Sequence, residues 1–337
     1  MKNILVTGGA GFIGANFIEY FLQKHGNKYH IINLDCLTYA GDLSYLKSVE
    51  NNPNYTFIQG NICNQELVNK LFKEYQFQGV FHFAAESHVD NSISGPEVFI
   101  DTNIKGTFNL LEAARKLWTK APFIINNSFE FSRFHHVSTD EVYGSLGETG
   151  FFTESTPYAP NSPYSASKAS SDFIVRSYNK TFGLNITISN CSNNFGPKQH
   201  DEKLIPTIIR NILQNNTIPI YGDGKNIRDW LFVTDHCSAI DAIFHKGKTG
   251  ETYNIGTRNE KTNLELTYLI CEICDTKLNR NSSSKELISF VKDRPGHDQR
   301  YAIDPSKIEN EFSWSAEHEF NTQLKETIDY YIAKYSK

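Results

Sequence analysis

The sequence has no excess of basic residues and no long apolar run. Lysine and arginine number 33 against 38 acidic residues, so the formal net charge at pH 7 is −5. Proteins that bind nucleic-acid phosphates usually carry a basic excess, so we expect no nucleic-acid partner. No run approaches the roughly 18 apolar residues that a membrane helix needs, and a strand-like segment stands where a signal peptide would begin. These absences predict a cytoplasmic protein with no membrane partner.

Cysteine is also scarce, with six cysteines scattered among 337 residues. This distribution does not resemble a disulfide scaffold. Cys271 and Cys274 form a C-x-x-C pair inside a run with helical spacing, but no second cysteine pair or histidine pair lies at zinc spacing. We therefore expect buried, reduced thiols and no metal site.

Apolar residues make up 39% of the chain and aromatic residues 13%, which is typical of a globular protein. In the first 182 residues, short apolar runs alternate with segments of helical spacing. This alternation predicts an α/β fold with a parallel, doubly wound sheet of the Rossmann type, covered by helices on both faces. The predicted strands are residues 4–7, 31–34, 56–59, 79–84 and 134–138, and the predicted helices are 12–24, 65–75, 102–118 and 164–182.

Glycines recur between the first strand and the first helix, at Gly8, Gly11 and Gly14 of the segment TGGAGFIG. Residues without Cβ let a turn close and let the backbone approach a pyrophosphate, and the helix start offers N–H groups to the phosphates. Asp35 ends the second strand, 21 residues after Gly14, where a carboxylate can accept hydrogen bonds from ribose hydroxyls. The pattern predicts a dinucleotide site, and the carboxylate favours NAD over NADP.

The alternation of strands and helices loosens beyond residue 183, where turn signals such as the segment 294–297 interrupt it. No Pro- or Gly-rich linker divides the chain, so we expect the second domain to be interleaved with the first. We predict an NAD-binding domain over residues 1–182, to which segments return from about 225–245. A smaller α/β substrate domain would cover residues 183–337.

Two pairs of residues are candidates for proton transfer. Tyr164 and Lys168 are spaced i, i+4 at a helix start, so one helix face presents both, and an ammonium can stabilise a phenolate. Asp140 and Glu141 follow a strand, at the sheet edge where ligands bind. Adjacent carboxyl groups in a cleft can hold different protonation states, one as acid and one as base. Together the pairs predict an enzyme that oxidises an alcohol.

Longer motifs resemble the dTDP-glucose 4,6-dehydratases, a family of extended short-chain dehydrogenase/reductases. The resemblance runs from residue 2 to about residue 330. Thr139-Asp140-Glu141 is its specific element, because sugar-nucleotide epimerases of that superfamily lack the adjacent acid pair. The motifs are AAESHVD (84–90), STDEVYG (138–144), YSASKASSD (164–172), NCSNN (190–194), KLIP (203–206), IRDW (227–230), YNIG (253–256) and DRPGHD (293–298).

The resemblance implies a hydro-lyase that keeps NAD bound and converts dTDP-glucose to dTDP-4-keto-6-deoxyglucose for deoxysugar biosynthesis, such as that of rhamnose. Tyr164, assisted by Lys168, would take the C4 hydroxyl proton, while Thr139 would hydrogen-bond the C4 oxygen. Glu141 would then remove the C5 proton, and Asp140 would protonate the C6 hydroxyl. A homodimer formed through residues 102–118 and 167–182 is also implied. A UDP- or GDP-sugar 4,6-dehydratase, a nucleotide-sugar 4-epimerase and a non-catalytic NAD-sensing regulator remain alternatives.

Binding residues follow from the same resemblance. The implied cofactor contacts are Gly8, Gly11, Phe12, Ile13, Gly14, Asp35, Leu37, Thr38, Asn61, Ile62, Ala84, Ala85, Ser87, Thr102, Tyr164 and Lys168. The implied substrate contacts are Ser87, Thr139, Asn193, Lys203, Leu204, Pro219, Tyr221, Arg228, Asn263, Arg294 and His297. Arg228 is expected on the diphosphate, because a guanidinium can bond two phosphate oxygens at once.

Three residues depart from the family pattern. Asn61 stands where an aspartate usually accepts from the adenine amine; its carbonyl can still accept, so we expect a weaker hold on NAD. Asn91 stands in place of an arginine. Phe195 stands in place of a tyrosine and removes a hydroxyl from the nucleotide side.

Overall fold

The computed structural model describes residues 1–336, which form fourteen strands and eleven helices. The strands are β1 (Lys2–Thr7), β2 (Tyr29–Asp35), β3 (Tyr55–Gln59), β4 (Gly79–His82), β5 (Thr119–Ala121), β6 (Ile124–Ile125), β7 (Arg133–Thr139), β8 (Ile186–Cys191), β9 (Asn193–Phe195), β10 (Ile218–Tyr221), β11 (Ile227–Phe232), β12 (Thr252–Ile255), β13 (Glu260–Thr262) and β14 (Ile288–Val291). The helices are α1 (Phe12–His25), α2 (Gln65–Tyr75), α3 (Val89–Ser94), α4 (Glu97–Phe99), α5 (Thr107–Trp118), α6 (Pro163–Phe182), α7 (Leu204–Leu213), α8 (Val233–Lys246), α9 (Asn263–Leu278), α10 (Ser306–Phe312) and α11 (Phe320–Tyr335).

Seven parallel strands form the main sheet, in the order β12-β8-β7-β4-β1-β2-β3. Neighbouring residues of β1 point to opposite faces: Ile4 packs into the core beneath α1 and α8, and Leu5 into the core beneath α2, α5 and α6. Because both faces are covered, the strands are buried on both sides, and β7 and β8 bury polar side chains such as His135, His136 and Thr187 among apolar ones. The predicted α/β fold with a doubly wound Rossmann-type sheet is confirmed.

The second part of the chain builds smaller sheets, yet it also returns to the main one. Strands β13, β11 and β9 form one small sheet and β10 pairs with β14, while α7, α9 and α11 pack beside them. Strands β8 and β12 belong to the main sheet, and α8 packs on α1. The segments of the second part that pack with the first domain are therefore not limited to residues 225–245. The sequence did not reveal them, because membership of a sheet depends on pairing between residues far apart in the chain. The division at residue 182 stays a prediction.

Two predicted elements differ from those observed. Residues 102–118 were expected to form one helix, but the segment Ile100–Gly106 is π-helical and α5 begins at Thr107. The strand predicted over residues 79–84 ends at His82. The residues that follow form a loop, which leaves Ala84 and Ala85 free to face a cavity.

Cys271 and Cys274 lie buried on α9, and all six cysteines of the chain are free thiols. Their burial raises the pKa of both thiols to about 12. Within residues 1–336, no helix is both long and apolar enough to cross a membrane.

Candidate active site

A cavity of about 370 Å³ opens at the carboxyl ends of the main-sheet strands. The loops after β1, β2, β3, β4, β7 and β8 line it, together with the start of α6. Open α/β sheets bind ligands at this edge, where the strand order reverses between β1 and β4. Asn193 and Lys203 from the second part of the chain complete the wall.

The backbone of the glycine loop packs closely against neighbouring backbone atoms, and only glycine allows this at two positions. Gly8 has a φ of +73°, and a Cβ there would lie 2.6 Å from the Ala84 nitrogen. A Cβ at Gly14 would lie 2.3 Å from the Gly8 oxygen, so the start of α1 could not pack on the loop. No side chain caps the first turn of α1, which leaves its N–H groups available to an anion.

Asp35 is held beside this loop by two backbone amides. Ala10 N–H donates to Asp35 Oδ2 at 2.9 Å, and Leu37 N–H donates to Oδ1 at 2.8 Å. The carboxylate lines the cavity and keeps lone pairs for ribose hydroxyls. Thr38 also lines the cavity, whereas Leu37 contributes its amide to Asp35 and does not line it.

Every implied cofactor residue except Leu37 lines this one cavity. The lining includes Asn61 and Ile62 after β3, Ala84, Ala85 and Ser87 after β4, and Thr102 from the π-helical segment. Asn61 Oδ1 accepts from Cys63 N–H at 2.8 Å, which uses one of its two lone pairs. The expected contact of this oxygen with the adenine amine stays a prediction.

The five candidate catalytic residues also line the cavity. Thr139 ends β7, and its hydroxyl accepts from Glu141 N–H at 3.3 Å within a single 3₁₀ turn. Helix α6 begins at Pro163, because Ser162 caps it through a reciprocal bond with Ser165. The first turns of α6 therefore place Tyr164 and Lys168 beside the acid pair.

The environments of Asp140 and Glu141 differ, although the residues are adjacent. Asp140 is 2% exposed, Oδ1 accepts from the Thr139 hydroxyl at 3.3 Å, and Oδ2 has no protein partner. Burial, with the neighbouring Glu141 charge, raises the pKa of Asp140 well above its ordinary value. The protonated form of Asp140 is therefore favoured relative to that of an exposed aspartate.

Glu141 is less buried than Asp140 and faces three cations. Burial raises its pKa, but the charges of Arg294, Arg228 and Lys203 oppose the rise. The Glu141 carboxyl is therefore easier to ionise than that of Asp140. Two carboxyl groups of different acidity thus lie side by side in the same cavity.

The expected effect of Lys168 on Tyr164 is not seen in this structure. Burial and the nearby Glu141 raise the pKa of Tyr164 well above its ordinary value, against a lowering contribution from the Thr139 hydroxyl. Lys168 Nζ donates to the Val137 carbonyl at 2.9 Å, and burial lowers the pKa of this ammonium. The Tyr164 phenol is therefore a weaker acid here than an exposed tyrosine.

The implied substrate residues are divided between the cavity wall and its surroundings. Ser87, Thr139, Asn193 and Lys203 line the cavity, and Lys203 Nζ donates to the Ser87 carbonyl at 3.3 Å. Asn193 Oδ1 is buried without a hydrogen-bond partner. Outside the lining lie Leu204, Pro219, Tyr221, Arg228, Asn263, Arg294 and His297.

Contacts explain where several of these outer residues lie. The Arg228 guanidinium donates to the Asp298 carbonyl at 2.9 Å and stacks 4.2 Å from the centre of the Tyr301 ring. Arg294 lies 3.8 Å from Asp90, whose carboxylate also accepts from the Tyr221 hydroxyl at 3.3 Å. Leu204 packs against the core at the start of α7, and Asn263 begins α9. Pro219 and Tyr221 lie exposed on β10, where the Tyr221 ring centre is 6.3 Å from that of His297.

Phe195 lies in the core, outside the cavity lining. Its side chain is 1% exposed, and its ring centre lies 5.5 Å from that of Phe232 and 5.2 Å from that of Phe320. Its place beside the nucleotide stays a prediction. Asn91 also lies outside the lining.

Sequence reasoning missed several polar residues of the cavity wall. They are Glu86, Ser138, Ser192, Asn194, Gln199, His200 and Glu202. A signal existed for some of them, because Glu86 and Ser192 stand inside quoted motifs and Glu202 precedes Lys203. The Glu202 carboxylate lies 3.9 Å from both His88 Nε2 and Lys203 Nζ, so it partly neutralises this rim.

Comparison with known proteins places the chain among nucleotide-sugar enzymes. It matches the family model described as GDP-mannose 4,6 dehydratase over residues 5–327. A dTDP-glucose 4,6-dehydratase from Xanthomonas campestris is 51% identical over 334 residues, which cover 98% of this chain and 93% of the relative. The chain belongs to the dTDP-glucose 4,6-dehydratases of this family.

Two solved structures of dTDP-glucose 4,6-dehydratases share the fold. The Bacillus anthracis structure, in complex with NAD, is 48% identical with a TM-score of 0.86 and covers 100% of this chain and 98% of that one. The Streptomyces venezuelae structure, with NAD and TYD bound, is 41% identical with a TM-score of 0.89 and covers 99% and 98%. The family resemblance predicted from the motifs is confirmed.

Proposed function

We propose that this protein is a dTDP-glucose 4,6-dehydratase, a hydro-lyase acting on a nucleotide sugar. It oxidises the glucose at C4, eliminates water across C5–C6 and returns the hydride to C6, giving dTDP-4-keto-6-deoxyglucose for deoxysugar biosynthesis. The observation that carries this proposal is the pair Asp140 and Glu141, adjacent in one cavity with Tyr164 but in different environments. A 4-epimerase needs the tyrosine and the lysine, but it has no step for such a pair.

NAD is the cofactor that the cavity fits. Gly8 and Gly14 leave no room for a Cβ, no side chain caps the first turn of α1, and the Asp35 carboxylate lines the cavity where a ribose would lie. When bound, NAD supplies the hydride acceptor and gives the same hydride back. The residues that would hold it are Gly8, Gly11, Phe12, Ile13, Gly14, Asp35, Thr38, Asn61, Ile62, Ala84, Ala85, Ser87, Thr102 and Lys168.

The protein's own residues move the protons. Tyr164 takes the C4 hydroxyl proton, and the Lys168 ammonium and the Thr139 hydroxyl are the groups that can stabilise the phenolate. Thr139 also hydrogen-bonds the C4 oxygen. Once C4 is a ketone the C5 hydrogen is acidic, and Glu141 removes it. Asp140, whose protonated form burial favours, gives a proton to the C6 hydroxyl, which leaves as water. When the hydride has returned to C6, a proton returns to C5 and completes the product.

Cations beside the acid pair are suited to the substrate diphosphate. Lys203, Arg228 and Arg294 all act on the Glu141 carboxyl, and buried Arg294 Nε has no hydrogen-bond partner. Guanidinium groups bind phosphate oxygens in pairs. We therefore place the diphosphate among these three residues, with Ser87, Asn193, Leu204, Pro219, Tyr221, Asn263 and His297 as the remaining proposed contacts.

We further propose that the protein is a cytoplasmic homodimer formed through α5 and α6. Phe108 on α5 and Phe173 on α6 are 41% and 55% exposed, and apolar rings on a surface favour association. Six free thiols fit a reducing compartment.

A comparison of three nucleotide sugars tests the proposed function. The purified protein is incubated with dTDP-glucose, UDP-glucose or GDP-glucose without added reductant, and the products are separated and weighed by mass spectrometry. We expect dTDP-glucose to lose one water and to be consumed fastest, with no net release of reduced nicotinamide. Faster consumption of UDP- or GDP-glucose would move the assignment to another 4,6-dehydratase, and an epimer of unchanged mass would exclude dehydration.

A further inference from the structure

The Asn61 side chain has an unpaired amide nitrogen and an oxygen that is already in use. The Cys63 N–H lies 2.8 Å from one atom of the Asn61 amide, and a backbone N–H can only donate, so that atom is the oxygen. This bond uses one of the two lone pairs of the oxygen and holds it towards the backbone, whereas Nδ2 makes no hydrogen bond within residues 1–336. The fully unpaired polar group of this exposed cavity residue is therefore the donor nitrogen.

The order of the strands places Asn61 where the base of a dinucleotide would lie. The phosphate loop follows β1, Asp35 ends β2, and Asn61 follows β3, the next strand outward. Gly60 N–H donates to the Asp35 carbonyl at 2.9 Å, which fixes Asn61 close to the ribose position. Phosphate, ribose and base follow one another along the nucleotide, so the base extends from Asp35 towards Asn61 and the apolar Ile62.

We propose that Asn61 reads the edge of the dinucleotide base through a donor, so that this protein does not select for the 6-amino group of adenine. The inference rests on the proposed function, because it requires a nicotinamide dinucleotide in the cavity. On adenine, the amide N–H can pair with the ring nitrogen N1 but not with the amine. On hypoxanthine, which carries an oxygen at C6, the same N–H pairs with that oxygen.

A carboxylate at the same place would introduce a preference for adenine. In Asn61→Asp, one oxygen would keep the bond to Cys63 N–H, and the second would accept from the adenine amine. The same oxygen would repel the C6 oxygen of hypoxanthine. A hydrogen bond to a charged group changes affinity by roughly tenfold or more, so the substitution is a sensitive test.

Cofactor exchange on the purified enzyme measures the preference without a turnover assay. The protein is equilibrated with an equimolar excess of NAD and nicotinamide hypoxanthine dinucleotide and separated from free ligand. After denaturation, the bound dinucleotides are quantified by mass spectrometry. We expect the wild-type protein to retain the two within about threefold of each other, and Asn61→Asp to favour NAD by roughly tenfold more.

Asn64→Asp is the matched control, because it adds the same charge three residues away and outside the cavity. Asn64 caps α2 by accepting from Leu67 N–H, and aspartate caps equally well. We expect its ratio to equal that of the wild type. A wild-type preference for NAD above about tenfold, a shift below about threefold in Asn61→Asp, or an equal shift in both variants would overturn the inference.

The two proposals fail in different ways in this experiment. If the wild-type protein retains neither dinucleotide, the proposed function is wrong and this inference falls with it. If the wild-type protein retains NAD but the ratio does not respond to Asn61→Asp, the proposed function stands and only the reading of the base is wrong.

Discussion

At the scale of single residues, the chemistry depends on two neighbouring carboxyl groups that do not share one environment. Asp140 has one oxygen bonded to Thr139 and the other buried without a partner. Three nearby cations stabilise the ionised form of Glu141 and so limit the rise in its pKa that burial causes. An elimination needs a base for C5 and an acid for the leaving hydroxyl at the same time. In the proposed mechanism, Glu141 is that base and Asp140 that acid.

Glu141→Gln separates oxidation from elimination. Glutamine keeps the shape of the side chain but cannot remove the C5 proton, so we expect dehydration to fall by at least about 100-fold. Oxidation at C4 does not use Glu141, so reduced nicotinamide should accumulate on the enzyme and be visible in its near-ultraviolet absorbance. Glu148→Gln, an exposed residue outside the cavity lining, is the control. Unchanged dehydration in Glu141→Gln would remove Glu141 from the role of base.

At the scale of secondary structure, α1 is tied to α8 through one buried carboxylate. Three nitrogen atoms contact the Asp241 carboxylate oxygens. Lys24 Nζ and His25 Nε2 each lie 2.8 Å from one of these oxygens, and His245 Nδ1 lies 3.0 Å away. Burial alone would raise the pKa of Asp241, but hydrogen bonds from His245, Lys24 and His25 outweigh it and hold the pKa well below its ordinary value. Helix α1 carries the phosphate-facing N–H groups at its other end, so this link helps to fix the glycine loop.

Asp241→Asn should lower the free energy of unfolding by about 1–3 kcal/mol near pH 7, measured by urea denaturation. The folded-state pKa is depressed, so the wild-type contribution is present above the ordinary aspartate pKa of about 4 and is lost as the pH falls below it. The difference between the two proteins should therefore narrow towards pH 3. Asp329→Asn, which removes an exposed partner of Lys277, should change stability by less than about 1 kcal/mol. A cost for Asp241→Asn that does not exceed this control would contradict the account.

Local signals predicted the elements better than they predicted their partners. Helix α2 was predicted with its observed bounds, because Asn64 caps its start and its apolar spacing is regular. The π-helical turn before α5 left no such mark in the sequence. The hydrogen-bond partners of Asp241 and the pairing of β12 with β8 in the main sheet depend on residues far apart in the chain. No local pattern reveals them.

In the candidate site, too, local motifs revealed some residues and contacts but not others. Its glycines, Asp35, the acid pair and Tyr164 could be found from motifs, since each follows a strand or begins a helix at the ligand-binding edge of the sheet. The bond from Cys63 N–H to Asn61 and the bond from Lys168 to Val137 could not, because they depend on side-chain orientation.

At the scale of the whole molecule, residues before and after the predicted division at residue 182 line one cavity. In the proposed homodimer, the exposed rings of α5 and α6 would pack against a second copy. Phe173→Asp with Phe108→Asp should convert a dimer to a monomer, measured by light scattering after size-exclusion chromatography, because charges oppose burial of that surface. Phe131→Asp alters an 80% exposed ring on neither helix and should leave the mass unchanged. An unchanged mass in the double variant would place the interface elsewhere.

Turnover of dTDP-glucose in D₂O, followed by mass spectrometry and NMR, tests most directly whether one cavity couples oxidation at C4 to loss of water. The account predicts a 4-keto-6-deoxy product with one solvent deuterium at C5, the original C4 hydrogen in the C6 methyl group, and no release of reduced nicotinamide. A product that keeps all its oxygen atoms, carries no deuterium at C5 or requires an equivalent of NAD for each sugar would contradict it.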